Sequence, residues 1–406
     1  MQYRGLEHWW RAHIRRRPWW MNGLMFFCFF MAAVQVPWDF LFHSVARDQQ
    51  VWFGIMFRGW WAKLGEIAHW LVFAAGAYGF WHMRAWMWPW SAVYAAQVAF
   101  SMFVWPIAYR GGVGGVVMGL LALIPFGAIT LALWRARPLF HAVRQPLRAR
   151  YGEWALVTGA SAGIGAEFAR ALARDGVSCV LTARRADRLQ ALATELESAY
   201  GVATRVVPID LAEADGATRL ADAVADLPIA VVVANAGYGL AGRFERQSVE
   251  RLRDMVQLNC VSPVVLIGAL LPRLLSRGRG AIIVTGSVAG RQPVPFNAVY
   301  GATKAFDLAF GEALWAELQG SGIDVLVIEP GPTVTEFQAV AGETPHDGEP
   351  PAQVVGVALN ALGHQPSVIS GWLNWLRASG IRLVPRSLTA LVAGRVMAVW
   401  APGDDR

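Results

Sequence analysis

At 406 residues the chain has room for two or three domains, and only 16% of it is charged, against about 25% in ordinary soluble domains, so part of it is expected in lipid. The net charge of +7 does not point to nucleic acid, because the arginines cluster beside apolar stretches rather than in an aromatic-interleaved patch. Cys28, Cys179 and Cys260 share no metal or disulfide spacing, which argues against a zinc module or a disulfide scaffold.

The apolar excess is uneven: fifteen of the 20 tryptophans fall before residue 151. A basic start with Arg4, Arg11, Arg15, Arg16 and Arg17 leads into an apolar stretch over 19–38. It is too long for a signal-peptide core and no small-residue cleavage site follows, so it reads as a retained span. Further spans are expected over 67–83, 85–109 and 112–134, each close to the roughly 20 residues a helix needs to cross hydrocarbon. The aromatic run 51–61, broken by Arg58 and Gly59, fits a segment lying in the membrane interface. Eleven cationic residues stand at the N-terminus, at Arg84 and over 135–150, against Arg47, Arg58, Lys63 and Arg110 on the other side. The positive-inside tendency then places both ends of a four-span region in the cytoplasm. His8, His13, His43, His69, His82 and His141 fall in this half without a close ligand spacing, so no metal site is expected. Asp39 and His69 are the ionisable residues to watch. The sequence shows no internal repeat and no strong intramembrane charge pair of the kind a transporter would need.

After a basic linker over 141–152 the texture changes to strands alternating with amphipathic helices, the pattern of a parallel sheet with crossover helices. Strands are expected over 154–157, 177–182, 204–209, 229–234, 281–285 and 323–328. The first runs into a glycine-rich turn, 158–165, and then a helix, an arrangement in which backbone amides can approach a pyrophosphate. The second ends at Arg184 and Arg185, where an acidic residue would hold a ribose 2′-hydroxyl and arginine suits a 2′-phosphate, so NADP(H) is preferred over NAD(H). Tyr300 and Lys304 stand four apart, hence on one face of a helix. A lysine cation beside a phenol favours the phenolate and draws its pKa toward the working range. Lys63 and Lys304 are the only lysines among 36 Lys and Arg residues, and a compact ammonium suits ribose hydroxyls better than a forked guanidinium.

These motifs, taken in order, make the chain resemble the short-chain dehydrogenase/reductase family over about 153–337. They are the glycine turn, Asn235-Ala236-Gly237, Asn259, Ser287, the Tyr300/Lys304 pair and the run 330–335. The resemblance implies an α/β Rossmann-like doubly wound parallel sheet, here preceded by an all-α transmembrane region. It implies that Tyr300 is the general acid and base, that Ser287 binds the substrate oxygen, that Lys304 binds nicotinamide ribose, and that Asn259 kinks its helix and holds a relay water. The cofactor would be bound by Gly159, Ser161, Gly163, Ile164, Gly165, Arg184, Arg185, Asp210, Leu211, Asn235, Ala236, Gly237, Tyr300, Lys304, Pro330, Gly331, Thr333 and Thr335. Asp210 would meet the adenine, and Thr333 and Thr335 the carboxamide and pyrophosphate side. Ala162 departs from the basic residue that NADP-using relatives often carry, so phosphate selection falls on Ser161, Arg184 and Arg185.

The expected organisation is a membrane region over 1–140, the linker, a catalytic domain over 153–337, and a polar lid with amphipathic helices over 338–406. The tail either caps the substrate cleft or lies on the membrane. The function expected is a membrane-anchored NADP(H)-dependent oxidoreductase interconverting a lipophilic ketone and a secondary alcohol, with homo-oligomers common among relatives. The alternative is a non-catalytic NADP(H)-binding sensor or scaffold coupled to a functional membrane region; retention of both Tyr300 and Lys304 favours the enzyme.

Overall fold

The computed structural model describes residue 14 and residues 17–45, 48–140, 145–344, 347–381 and 384–401. Arg4, Arg11, Arg15, Arg16, Arg47, Arg144, His8, His13 and His141 lie outside the described residues, as do 141–144 of the linker and 345–346 of the lid. The chain divides into two compact units, one within Trp10–Arg144 and the other containing Gln145–Arg406.

The first unit is helical. A long helix α1, Trp19–Phe42, is followed by a hairpin of β1, Gln49–Trp52, and β2, Ile55–Arg58, and then by α2, Trp60–His82, α3, Met87–Arg110, and α4, Gly112–Arg135. The run read as an interfacial segment is thus a short antiparallel hairpin feeding α2. Met21, Met25, Phe80, Met87 and Leu133 form the unit's own core, while large apolar side chains such as Trp19, Leu41, Leu121 and Ile124 are exposed. Exposed apolar faces on helices of this length are what a lipid solvent rewards.

Among the described residues four helices are long and apolar enough to cross a membrane, and they are not quite the four expected: α1, α3, α4 and Val249–Arg277. The last lies inside the α/β unit, where Leu266, Ile267, Leu270 and Leu274 are buried in the core beside the sheet. Core burial and lipid burial select the same residues, so composition alone does not separate them. The helix over the expected second span, α2, falls outside the set; its first two turns carry Lys63 and Glu66.

That pair belongs to a buried charge cluster that the sequence spacing did not single out. Lys63 Nζ is 3.0 Å from Asp48 and 3.1 Å from Glu66, all three being buried. It also donates to the Asp39 and Phe40 carbonyls at 2.9 and 3.1 Å, closing the end of α1. Arg17, read as a membrane-flanking charge, is buried and donates to the carbonyls of Phe80 (2.8 Å) and Trp81 (2.9 Å) at the end of α2. His69 stacks on Trp52, with ring centroids 4.2 Å apart, and Asp39 accepts from Gln35 at 2.9 Å.

The second unit is built on a seven-stranded parallel sheet of order β5-β4-β3-β6-β7-β8-β9. Its strands are β3, Trp154–Thr158; β4, Ser178–Ala183; β5, Thr204–Pro208; β6, Ile229–Ala234; β7, Gly280–Thr285; β8, Ile323–Glu329; and β9, Ser367–Ile369. The central strands β6 and β7 are buried along their whole length, as parallel strands covered on both faces must be, whereas the edge strand β5 is only half-buried. The crossover helices are α5, Gly163–Arg174; α6, Ala186–Tyr200; α7, Gly216–Ala223; α8, Val249–Arg277; and α9, Ala298–Glu317. After β8 come α10, Phe337–Ala341, and α11, Pro351–Ala361, and after β9 the tail helices α12, Trp372–Gly380, and α13, Arg386–Met397. The order reverses between β3 and β6, which opens a crevice at the carboxyl ends of those two strands.

Candidate active site

Three strand ends are tied together at that crevice. Thr158 Oγ1 accepts the amides of Asn235 (2.9 Å) and Ala236 (3.0 Å), joining β3 to β6. The Asn235 side chain donates to the Thr158 carbonyl at 3.1 Å and accepts from Thr285 Oγ1 at 3.2 Å, which brings in β7. The chain then turns through Gly159, whose φ of +68° disfavours side chains, and enters α5. At Gly165 a Cβ would stand 2.3 Å from the Gly159 carbonyl oxygen, so only glycine lets the turn fold this tightly. No side chain caps the N-terminus of α5, whose amides are left for an anion.

The turn opens on a cavity of about 560 Å³. Gly159, Ser161, Gly163, Ile164, Arg184, Arg185, Asp210, Leu211, Asn235, Ala236, Gly237, Pro330, Gly331, Thr333 and Thr335 line it, together with Ser287, Tyr300 and Lys304. Two residues named from the sequence do not. Gly165 lies behind the turn as packing, and Asn259 is buried behind Gly237. Asn259 sits in a π-helical turn, Gln257–Val261, within α8. Its amide donates to the Tyr238 carbonyl and to Thr303 Oγ1, both at 3.0 Å, and its oxygen accepts the Tyr238 amide at 3.2 Å. It therefore braces the loop after β6 and the helix of Tyr300.

Around Tyr300 the chain supplies one donor network. Lys304 Nζ donates to the Thr285 carbonyl at 2.7 Å and to Asp307 Oδ2 at 2.9 Å, and lies 5.9 Å from the Tyr300 ring centroid. Ser287 begins a 3₁₀ turn, where its Oγ accepts the Ala289 amide at 3.1 Å. Burial pushes the Tyr300 phenol above its ordinary value, while the Lys304 charge and the Ser287 hydrogen bond pull it down without reversing the shift. The lysine acts in the direction expected from the sequence, but desolvation is the larger effect. Burial also pulls Lys304 down, yet the Asp307 and Tyr300 charges more than offset it, and its pKa is raised.

Asp307 was not named from the sequence, although it stands three residues after Lys304 on the same helical face. Arg188 and Glu336 were missed as well. Arg185 donates to Ser161 Oγ from Nη2 at 3.0 Å and to Glu336 at 2.7 Å, and Arg188 pairs with the other Glu336 oxygen. Arg184 is largely exposed, 3.8 Å from Asp210. The region read as a polar lid begins with the short helix α10, whose Phe337 packs on Tyr300 at 5.2 Å between ring centroids. Ile381, Val396, Met397 and Trp400 of the tail also line the cavity, with Asn374 and Arg377 of the same tail.

The profile of the short chain dehydrogenase family matches residues 153–346. A very-long-chain 3-oxoacyl-CoA reductase of Meyerozyma guilliermondii is 34% identical over 230 residues, 53% of this chain and 67% of that protein. A 7beta-hydroxysteroid dehydrogenase of Collinsella aerofaciens is 32% identical over 235 residues, 56% of this chain and 89% of that protein. The chain belongs to the short-chain dehydrogenase family. As a family member it is an oxidoreductase. Among solved structures, a 7beta-hydroxysteroid dehydrogenase matches with a TM-score of 0.58 at 30% identity, over 61% of this chain and 99% of that one. A short-chain dehydrogenase from Sphingobium yanoikuyae, solved with NADPH, matches at 0.52 with 33% identity, over 57% and 94%.

The buried Lys304–Asp307 pair leads to a stability prediction. Lys304→Met should cost about 3–5 kcal/mol by leaving the Asp307 carboxylate buried without its cation, and adding Asp307→Asn should return much of that loss. Because the folded pKa of Lys304 lies above its ordinary 10.5, its contribution is complete below that pH and is lost as pH rises through the raised value. Urea unfolding followed by near-ultraviolet circular dichroism at neutral and alkaline pH checks both statements. Equal stabilities of the parent chain and Lys304→Met at neutral pH would contradict them.

Proposed function

We propose that the protein is a membrane-anchored, NADP(H)-dependent reductase/dehydrogenase that interconverts a lipophilic ketone and a secondary alcohol, with Tyr300 as general acid and base. One observation carries the reading. Tyr300, Ser287 and Lys304 open onto the same cavity as the uncapped glycine turn, and the tail adds Ile381, Val396, Met397 and Trp400 to its lining.

The residues present fit a phosphorylated dinucleotide. The amides at the start of α5 suit a pyrophosphate, and Ser161 and Arg185 stand together where a 2′-phosphate would be held, with Arg184 beside them. When bound, the nicotinamide supplies or accepts the hydride. The chain's own part is proton transfer and positioning. In reduction, Tyr300 gives its phenolic proton to the oxygen that gains charge at the carbonyl, while Ser287 Oγ–H donates to the same oxygen. Lys304, held by the Thr285 carbonyl and Asp307, presents a fixed positive charge under the phenol and stabilises the tyrosinate left behind. Oxidation uses the same atoms in reverse. The relatives named above act on a very-long-chain 3-oxoacyl-CoA and a 7beta-hydroxysteroid, and the apolar wall of Ile381, Val396, Met397 and Trp400 supports a substrate body of that lipophilic kind.

The placement proposed for the catalytic unit is the cytoplasmic side, with α2 as a fourth crossing whose charges are confined to its first two turns and neutralise one another there. A protease acting from outside on sealed, right-side-out membrane vesicles should leave this unit intact; digestion before the vesicles are opened would reverse the assignment.

Cofactor choice is tested by replacing Arg184 and Arg185 with Ala. NADPH should weaken by about 10-fold or more, and NADH much less, because the lost charge-assisted bonds reach only the 2′-phosphate. Equal losses for both cofactors would remove the arginines from phosphate recognition.

The mechanism is tested at the dyad with detergent-solubilised protein and a panel of steroid, long-chain 3-oxoacyl and quinone carbonyls. Tyr300→Phe should retain NADPH binding and lose about 10²- to 10⁴-fold in turnover. Lys304→Arg should also be strongly impaired, because the forked cation does not reproduce the ammonium's contacts to Thr285 and Asp307. Near-normal turnover by Tyr300→Phe would rule out this acid/base assignment.

A further inference from the structure

The tail helices have two faces with different surroundings. On α12, Asn374, Arg377, Ala378 and Ile381 border the cavity, at the spacing of one helical face. On the opposite side Trp372 and Trp375 are 78% and 57% exposed, with Leu373 and Leu376 beside them. The pattern repeats on α13 and just beyond it. Thr389 and Ala393 are buried, and Met397 and Trp400 reach the cavity. Leu388, Leu391, Val392 and Arg395 are exposed.

The inner face is firmly seated. Asn374 donates to the Ser370 carbonyl at 2.9 Å and presses so closely on Gly331 that a Cβ there would meet Asn374 Nδ2. The Thr344 amide donates to the Trp400 carbonyl at 3.1 Å, joining the end of the tail to the lid segment. The outer face, by contrast, would leave several large apolar side chains in water, forgoing the gain of burial. Contiguous apolar patches of that sort mark an interaction surface.

We propose that the outer face of α12 and α13 rests in the headgroup region of a lipid bilayer, so that the substrate cavity behind their inner face lies next to the membrane and lipophilic substrate reaches it from the lipid phase. Charge selects this occupant over a second copy of the chain. Arg386 and Arg395 stand exposed on α13, and residues 371–401 contain no Asp or Glu. A second copy would bring the same positive face against it, whereas anionic headgroups complement it. Tryptophan beside arginine is also the composition of interfacial helices, and the same chain carries helices able to cross the bilayer. The substrate-entry clause rests on the reductase reading above; the membrane contact does not.

The test uses the full-length chain reconstituted in vesicles of phosphatidylcholine and phosphatidylglycerol. Leu391→Cys, labelled with an environment-sensitive fluorophore, is readable because the three native cysteines are buried. The expected result is blue-shifted emission that spin-labelled lipids quench. Water-like emission untouched by the lipid quencher would overturn the proposal, as would burial of the label through crosslinkable contact with a second copy. A second arm uses Trp372→Glu combined with Leu391→Glu, neither residue lining the cavity. The KM for a steroid ketone partitioned into the vesicles should rise about tenfold at unchanged kcat, while cyclohexanone, delivered from water, keeps its KM. An equal change for both ketones would refute entry from lipid. Loss of all ketone turnover in the parent chain would instead count against the reductase reading, and the fluorescence arm would still decide the membrane contact.

Discussion

The ammonium of Lys304 is held from several sides at once: the Thr285 carbonyl at the end of β7, the Asp307 carboxylate one turn along α9, and the ring of Tyr300 one turn back. A buried cation is costly unless its partners are fixed before it arrives, so this contact demands that β7 and α9 lie in one relative position. Other features of the site follow from that demand. Gly237 packs closely here, for a Cβ would stand 3.0 Å from Asn259 Oδ1, a contact that Asn259 would have to yield to. Asn259 in turn holds Thr303, the residue before the lysine, from the π turn of α8. The chemistry of the phenol is therefore set by a balance in which burial raises its pKa and two neighbouring polar groups oppose the rise.

The cavity joins two unlike chemistries. Strand ends and the start of α5 give it a polar lining, and the tail contributes the apolar Ile381, Val396, Met397 and Trp400. Between them lies the run Glu336 and Phe337. Glu336 pairs with Arg185 and Arg188, and its neighbour Phe337 packs on Tyr300. Adjacent residues thus touch Arg185 and Arg188 on one side and Tyr300 on the other, so a shift of one end of this short segment is felt at the other.

The helical unit has its own buried polar contacts. Lys63 and Arg17 each donate to carbonyls at a helix end, and Lys63 is further neutralised by Asp48 and Glu66. Where water is scarce, an unfilled helix end and an unpaired charge are both expensive, and one lysine answers both needs. The chain's two lysines share the charge pairing: each is buried with an acidic residue three positions on, Lys63 with Glu66 and Lys304 with Asp307.

The sequence by itself determined the parallel sheet, the position of its glycine turn and the Tyr300/Lys304 pair. These features depend on local spacing: alternation of strand and helix, glycines at fixed offsets, and two residues one helical turn apart. The tertiary structure decided what depends on distance along the chain. It set Asn259 behind Gly237, brought Glu336 to Arg185 across 151 residues and Asp48 to Lys63, and assigned the apolar helix Val249–Arg277 to the α/β unit. It also gave the tail helices an inner face on the cavity and an exposed outer face. Hydrophobicity records that a residue leaves water, not whether a sheet, a cavity or a lipid receives it; only the packed chain makes that distinction.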